Sequence, residues 1–98
     1  MSDGRYLAAS RCLAYSELPE LQSDHGNFDG LRAAAAFGYR SGSVVSDARD
    51  NATRVRATAR RLSSMATGLQ QLREERDAAC AGFVQGGLVQ LEATTPAS

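Results

Sequence analysis

The residue with the clearest chemical potential is His25, which lies between Asp24 and Asp29 in "SDHGNFD". An imidazole beside two carboxylates can bind a metal ion or transfer protons. The segment is typical of a loop, however, and no nucleophile with a base and an orienting group can be assembled around the single histidine. The sequence also lacks a phosphate-binding glycine loop and a zinc-protease motif. We therefore interpret His25 as a solvated loop residue, and we expect no enzyme activity, cofactor, metal or small-molecule substrate.

The two cysteines, Cys12 and Cys80, are far apart and lack the C-x-x-C spacing of metal and redox sites. We expect two buried thiols, although a disulfide could form if the helices that carry them pack side by side. The N-terminus has an acid at Asp3 and no apolar run of signal-peptide length. No segment is apolar enough to span a membrane. The expectation is a cytoplasmic protein with no membrane partner.

Five arginines cluster over residues 49–61, and they form a candidate face for an acidic partner or for nucleic acid. Eleven arginines and eleven acidic residues give a net charge of zero, which argues against a generally basic nucleic-acid binder. Asp47 and Asp50 lower the local potential, and no aromatic side chain is interleaved for base stacking. We favour a solvated flank with helical pairs such as Asp50–Arg54. The five residues are Arg49, Arg54, Arg56, Arg60 and Arg61.

The basic residues other than His25 are all arginine, and the chain has neither lysine nor isoleucine. Lysine and isoleucine both have AT-rich codons. We interpret their absence as the mark of a GC-rich bacterial or phage genome.

The strongest structural signal is a heptad pattern in the second half of the chain. Apolar residues alternate at spacings of three and four, which is typical of a helix that packs along one stripe. The pattern then slips to Leu72, Ala79 and Phe83. It predicts one long helix over 44–84, stopped by Gly86 and Gly87. The stripe, named the seam here, comprises Val45, Ala48, Ala52, Val55, Ala59, Leu62, Ala66 and Leu69.

The alanines of the seam predict close helix packing, because small side chains let two backbones approach. The Ala-rich stretch at 32–37 is the expected opposing surface, brought back antiparallel by a turn at 41–43. The alternative is that the second helix continues through 41–43, because a glycine costs a helix only about 1 kcal/mol. A helix over 44–84 is about 60 Å long, and a helix over 28–40 covers only about a third of it. Part of the seam should therefore remain for another chain, and the alternative is a self-contained monomeric bundle.

The other elements follow from caps and breakers. Asp3 is the expected N-cap of a first helix over 4–17, with Tyr6, Ala9 and Leu13 on one face. After Pro19, a single turn with Leu18 and Leu21 should pack on the core. The expected N-cap of the second helix is Asn27 or Asp29. The expected N-cap of the long helix is Ser43 or Ser46. Asp47 and Asp50 would lie in the first turns of the long helix, where the helix dipole favours acids.

The sequence thus predicts an all-α protein, either a helical hairpin or a small three-helix bundle dominated by the long helix. We expect one helical domain over 1–92 and a flexible tail over 93–98. The predicted function is that of a small non-enzymatic protein acting through protein–protein interaction, as an adaptor, inhibitor or assembly component. The seam would bind a protein partner or a second copy, with a coiled-coil dimer favoured. The alternative is a nucleic-acid-binding regulator that uses the Arg49–Arg61 face.

Overall fold

A computed structural model describes residues 1–24, 28–85 and 88–89, and in this part of the chain the all-α prediction is confirmed. Beyond the helices there is a two-residue antiparallel pairing in which Val84 lies opposite Val89. The predicted tail, and His25 with it, lie outside the described residues. The elements are α1 (Asp3–Ser16), a 3₁₀ segment (Pro19–Asp24), α2 (Asp29–Ala36), α3 (Gly42–Leu62), α4 (Gly68–Cys80), β1 (Val84–Gln85) and β2 (Leu88–Val89).

Helix α1 is close to its predicted bounds, but its cap is Ser2. The Ser2 hydroxyl accepts a hydrogen bond from the backbone N–H of Arg5 at 3.1 Å. Asp3 lies instead in the first turn, where the helix dipole favours an acid. Ala9 and Leu13 are buried, so the predicted apolar face is confirmed.

The turn after Pro19 also forms as expected. Leu18 is 2% exposed and Leu21 is 1% exposed, which places both side chains in the core. The turn thereby covers the C-terminal end of α1.

The connection between α2 and α3 lies earlier than predicted. Helix α2 ends at Ala36 instead of continuing to 40, and Gly38 adopts φ +90°, a backbone conformation that favours glycine. Helix α3 then begins at Gly42 with Ser41 as its N-cap, neither Ser43 nor Ser46, and the Ser41 hydroxyl accepts from the Val44 N–H at 3.4 Å. The first turn consequently contains no acidic residue, and the expectation for Asp47 and Asp50 was wrong.

The single helix over 44–84 is absent, because α3 ends at Leu62 and α4 begins at Gly68. Ser63 and Ser64 donate their hydroxyls to the carbonyls of Arg60 and Arg61, both at 2.9 Å, and such bonds compete with helix continuation. A Cβ on Gly68 would overlap the Leu62 carbonyl oxygen, so the corner depends on glycine. The chain turns back here instead of extending the seam.

Helix α1 is the central element, and α2, α3 and α4 all pack against it. The Ala-rich helix α2 was predicted to lie along the long helix, but its main contact is with α1. The surface that covers α3 is therefore α1, with α4 beside it.

The core forms two clusters along α1. One joins α1, α2 and the end of α4, and the other joins α1, the 3₁₀ segment, α3 and α4. Leu72 and Phe83, from the slipped pattern, are buried as that pattern predicted. The first cluster contains Ala9, Cys12, Leu13, Phe28, Leu31, Ala35, Cys80 and Phe83, and the second contains Tyr15, Leu18, Leu21, Val55, Ala59, Leu62 and Leu72.

Cys12 and Cys80 form a disulfide between α1 and the C-terminal end of α4. The expectation of two unpaired thiols was wrong, because the two helices do pack side by side with the cysteine Cα atoms 4.7 Å apart. The bridge closes a long loop, since the two residues are 68 positions apart.

None of the described helices is long and apolar enough to cross a membrane.

Candidate protein-binding groove

The predicted seam divides into three parts in the structure. Four of its residues are buried inside the chain: Ala48, Val55, Ala59 and Leu62. Val45 and Ala52, in the first half of α3, are half-buried. Ala66 and Leu69 are exposed, because the chain turns before them. The N-terminal part of α3 thus keeps an incompletely covered apolar face.

That face lines a groove of about 490 Å³ between α1 and α3. Its volume falls in the range of about 300–1,000 Å³ that is usual for ligand sites. The apolar lining consists of Tyr6, Leu13, Ala14, Leu18, Pro19, Val45, Ala48 and Ala52, and the polar lining of Ser10, Glu17, Arg32, Arg49 and Arg56.

The helix register places two arginines on the rim of the groove. Arg49 follows Val45 by four residues, and Arg56 follows Ala52 by four, so each arginine lies one turn beyond a seam residue on the same side of α3. Both side chains are exposed. The seam and the basic face therefore meet in one place.

The arginines of the α3 rim have no carboxylate partner within the described residues. Arg56 donates to the Thr53 hydroxyl at 3.2 Å, and the same hydroxyl donates to the Arg49 carbonyl at 3.0 Å. Neither guanidinium forms an ion pair in the described part of the chain. This rim is therefore positively charged and open to an anionic group.

The opposite rim is neutralised within the chain. Arg32 forms ion pairs with Glu17 and with Asp29, each at 2.7 Å. The hydrogen bond to Glu17, and to a smaller extent the one to Asp29, raise the pKa of Arg32 above its usual value. The groove is accordingly asymmetric, with one charged rim and one paired rim.

A smaller cavity of about 160 Å³ continues the groove beyond Arg56. It is lined by Leu18, Pro19, Glu20, Arg56 and Arg60. Arg60 thus joins the groove, whereas Arg54 and Arg61 are exposed but do not line either cavity. No acidic residue occurs between Asp50 and Glu74 in the sequence, so the second half of α3 is a basic surface.

The end of the groove near Tyr6 is stabilised by Arg40. Its guanidinium lies 5.0 Å from the centre of the Tyr6 ring, pairs with Asp3 at 2.9 Å and donates to the Met1 carbonyl. These contacts join the α2–α3 connection to the start of α1 and so hold the two walls of the groove in place.

Two aromatic side chains project from the same connection, away from the core. Phe37 is 81% exposed and Tyr39 is 90% exposed. Neither side chain lines the groove, and the two residues are named the exposed patch here.

The α1 half of the groove was not predicted as a site. Tyr6 and Leu13 belong to the predicted apolar face of α1, which gave a partial signal. The pairing of Glu17 with Arg32 had no signal in the sequence, because it depends on the packing of α2 against α1.

Within residues 1–24, 28–85 and 88–89, no group of three or more His, Cys, Asp or Glu side chains could hold a metal ion. The interpretation of His25 as a loop residue lies outside the described residues.

Comparison with protein-family models, with curated proteins and with solved structures gives no match to this chain.

Proposed function

We propose that this chain is a small non-enzymatic protein that acts by binding another protein chain in the groove between α1 and α3. The observation that carries the proposal is the combination of an apolar lining with rim arginines that have no carboxylate partner among the described residues. Apolar area supplies affinity at protein interfaces, and charges at the rim supply orientation and partner choice. An adaptor, an inhibitor and an assembly component would all use such a surface.

The groove lining favours binding over catalysis. Glu17 is the one carboxylate among the described residues that line the groove, and it is already paired with Arg32. The described lining contains neither histidine nor cysteine, so it offers no nucleophile activated by a histidine base.

A second copy of the chain is the other occupant that the seam pattern favours. The corner between α3 and α4 adds exposed apolar side chains, with Met65 at 55% and Leu69 at 39% exposure. A dimer could therefore use the groove, this corner or both, and the preference for a dimer stays a prediction.

The proposal is tested by photo-cross-linking in cells of the native host. A photoreactive amino acid replaces Arg49 on the groove rim or, as the matched control, Arg54 on the same helix but outside the groove. We expect a protein adduct from position 49 and none from position 54. An adduct with the mass of two chains would identify a dimer. Equal adducts from both positions, or none from position 49, would contradict the proposal.

A nucleic-acid regulator is the second candidate, and it is favoured by the exposed arginines between Asp50 and Glu74. Phosphate binding through these residues should weaken steeply with salt. A mobility-shift assay on generic DNA compares wild type with Arg54→Glu/Arg61→Glu. Absence of binding at low salt would rule out this candidate.

The cytoplasmic location predicted from the sequence stays a prediction, and the disulfide bears on it. Stable disulfides are typical of oxidising compartments. Thiol trapping in host cells is the direct test: a reduced Cys12 and Cys80 would favour the cytoplasm, and an oxidised pair would favour an oxidising compartment.

A further inference from the structure

We infer that the partner presents an amphipathic helix, with acidic residues along one edge of its apolar stripe, and that this helix lies lengthwise in the groove. The inference rests on the proposed function, because it assumes that the groove binds a protein. It goes further by naming the shape and charge of the bound segment.

The length of the groove fits a short helix. On α3 its lining runs from Val45 to Arg56, and on α1 from Tyr6 to Glu17, which is eleven residue steps on each wall. Eleven steps correspond to about 16 Å, or three helical turns. A helix of three to four turns would therefore contact both walls along their whole length.

The floor of the groove fits the close approach of a helix. Its lining includes Ala14, Ala48 and Ala52, whose small side chains let a neighbouring backbone lie near the short end of the usual 8–10 Å range. Tyr6 and Val45, which are only half-buried, provide larger apolar surface in the same lining. Residues at positions i, i+3, i+4 and i+7 of the partner would fill this floor.

The charge asymmetry specifies the edges of the partner helix. Arg49 and Arg56 are seven residues apart, which is two turns on one side of α3. A partner with acids at the same spacing would pair with both. The opposite edge would meet Arg32, which Glu17 and Asp29 already neutralise, so polar uncharged residues suit it.

The chain's own acidic helix is less suitable as the occupant. In α4, Glu75 accepts a hydrogen bond from Tyr15 at 3.3 Å, Asp77 pairs with Arg76 at 2.9 Å, and Glu74 accepts from Gln70 at 3.4 Å. The acidic side chains of α4 are thus engaged within their own chain. A different protein is the occupant that the observations favour.

The experiment selects helical peptides from a display library on the immobilised protein. The apolar stripe of the library is fixed, and its two edges are randomised among Glu, Lys, Gln and Ser. Each selected clone is then tested on Ala52→Trp, whose side chain fills the groove. Circular dichroism establishes that this variant is folded.

The outcomes separate the inference from the proposed function. We expect clones that lose binding to Ala52→Trp and that carry Glu on one edge. Some clones could lose binding to Ala52→Trp and yet carry Glu and Lys equally often at their edges. Such clones would show that the partner helix needs no acidic edge, and they would leave the proposed groove binding intact. If no clone distinguishes Ala52→Trp from wild type, both the inference and the proposed function are wrong.

A charge reversal tests the arginines without filling the groove. Arg49→Glu/Arg56→Glu should weaken binding of an acidic clone roughly 10-fold, as expected when two exposed ion pairs become repulsive. It should improve binding of the same peptide with Lys in place of Glu. The control Arg54→Glu/Arg61→Glu changes the net charge equally on the same helix, outside the groove. Equal loss in both variants would show general attraction and overturn the inference.

Discussion

The disulfide between Cys12 and Cys80 is predicted to be a major source of stability. It links α1 to the end of α4 across a sequence separation of 68 residues. In the chain-entropy description, closing a loop of this length in the unfolded state stabilises the fold by about 4 kcal/mol. A domain of this size has a total stability of about 5–15 kcal/mol. Reduction should therefore remove a large fraction of the free energy of unfolding.

Reduction is a better perturbation than substitution, because both sulfur atoms stay in the core. Cys12 is 0% exposed and Cys80 is 4% exposed, so replacing them would also create a cavity. Urea unfolding, followed by circular dichroism, is compared with and without reductant. We expect a lower midpoint for the reduced protein and a steeper dependence on urea, because the unfolded chain is no longer constrained.

Two results would refute this reasoning. A thiol assay on the unreduced, denatured protein should detect no free thiol, and detection of both thiols would mean that the bridge is absent. A loss of less than about 1 kcal/mol on reduction would mean that the unfolded chain gains little freedom when the bridge is opened.

Three further predictions concern packing and titration. Gly68→Ala should destabilise the fold by about 1–3 kcal/mol, because the added Cβ overlaps the Leu62 carbonyl and the corner must shift; urea unfolding measures the loss. Ala59→Leu should destabilise the fold by about 1–3 kcal/mol, because Ala59 is fully buried against α1 and α4. The control Ala57→Leu, on the exposed side of α3, should change the stability by less than about 0.5 kcal/mol. Burial and the nearby Glu75 carboxylate raise the pKa of Tyr15 above 10.0, although Arg11 acts in the opposite direction. The part of the stability that depends on neutral Tyr15 should therefore be present below pH 10 and lost as the pH rises through the pKa of the folded state. Ultraviolet titration of wild type and Tyr15→Phe measures where this step lies.

Each of these predictions has a result that contradicts it. Gly4→Ala is the control for the corner, because a Cβ at Gly4 meets nothing within 4 Å; equal effects of the two glycine changes would mean that the Gly68 contact is unimportant. Equal effects of the two alanine changes would mean that α3 packs loosely on its buried side. A tyrosine step that is unchanged in Tyr15→Phe, or that lies below pH 10, would contradict the burial of that hydroxyl.

The sequence predicted the elements whose signals are local. The face of α1 and the turn with Leu18 and Leu21 follow from apolar spacing and from Pro19, and both are confirmed. The break before Gly68 had only a weak signal, because one glycine costs a helix about 1 kcal/mol and the heptad pattern runs through it. The decisive factor there is the geometry of the turn itself, in which the backbone at Gly68 lies too close to the Leu62 carbonyl for a Cβ.

The pairing of helices could not be predicted from spacing alone. The stretch of alanines in α2 would fit any close-packed neighbour, and the structure places it on α1 instead of α3. The disulfide follows from the packing of α1 on α4, which spacing does not show, so the sequence allowed the bridge without predicting it.

Half of the groove could be predicted, because Val45, Ala48 and Ala52 were seam residues and Arg49 and Arg56 their neighbours. The other half depends on which helix covers the seam. The heptad pattern shows that α3 has an apolar face, but it does not show that α1 covers the C-terminal part of that face and leaves the N-terminal part open.

The most direct test of the groove as a binding surface is an NMR titration of the isotope-labelled protein with a selected acidic helical peptide. We predict that the amide shifts change along the two walls, around Leu13, Val45, Ala48 and Ala52, and that the exposed patch at Phe37 and Tyr39 stays unaffected. Changes centred on that patch, or on the outer side of α3 around Arg54 and Arg61, would contradict the account.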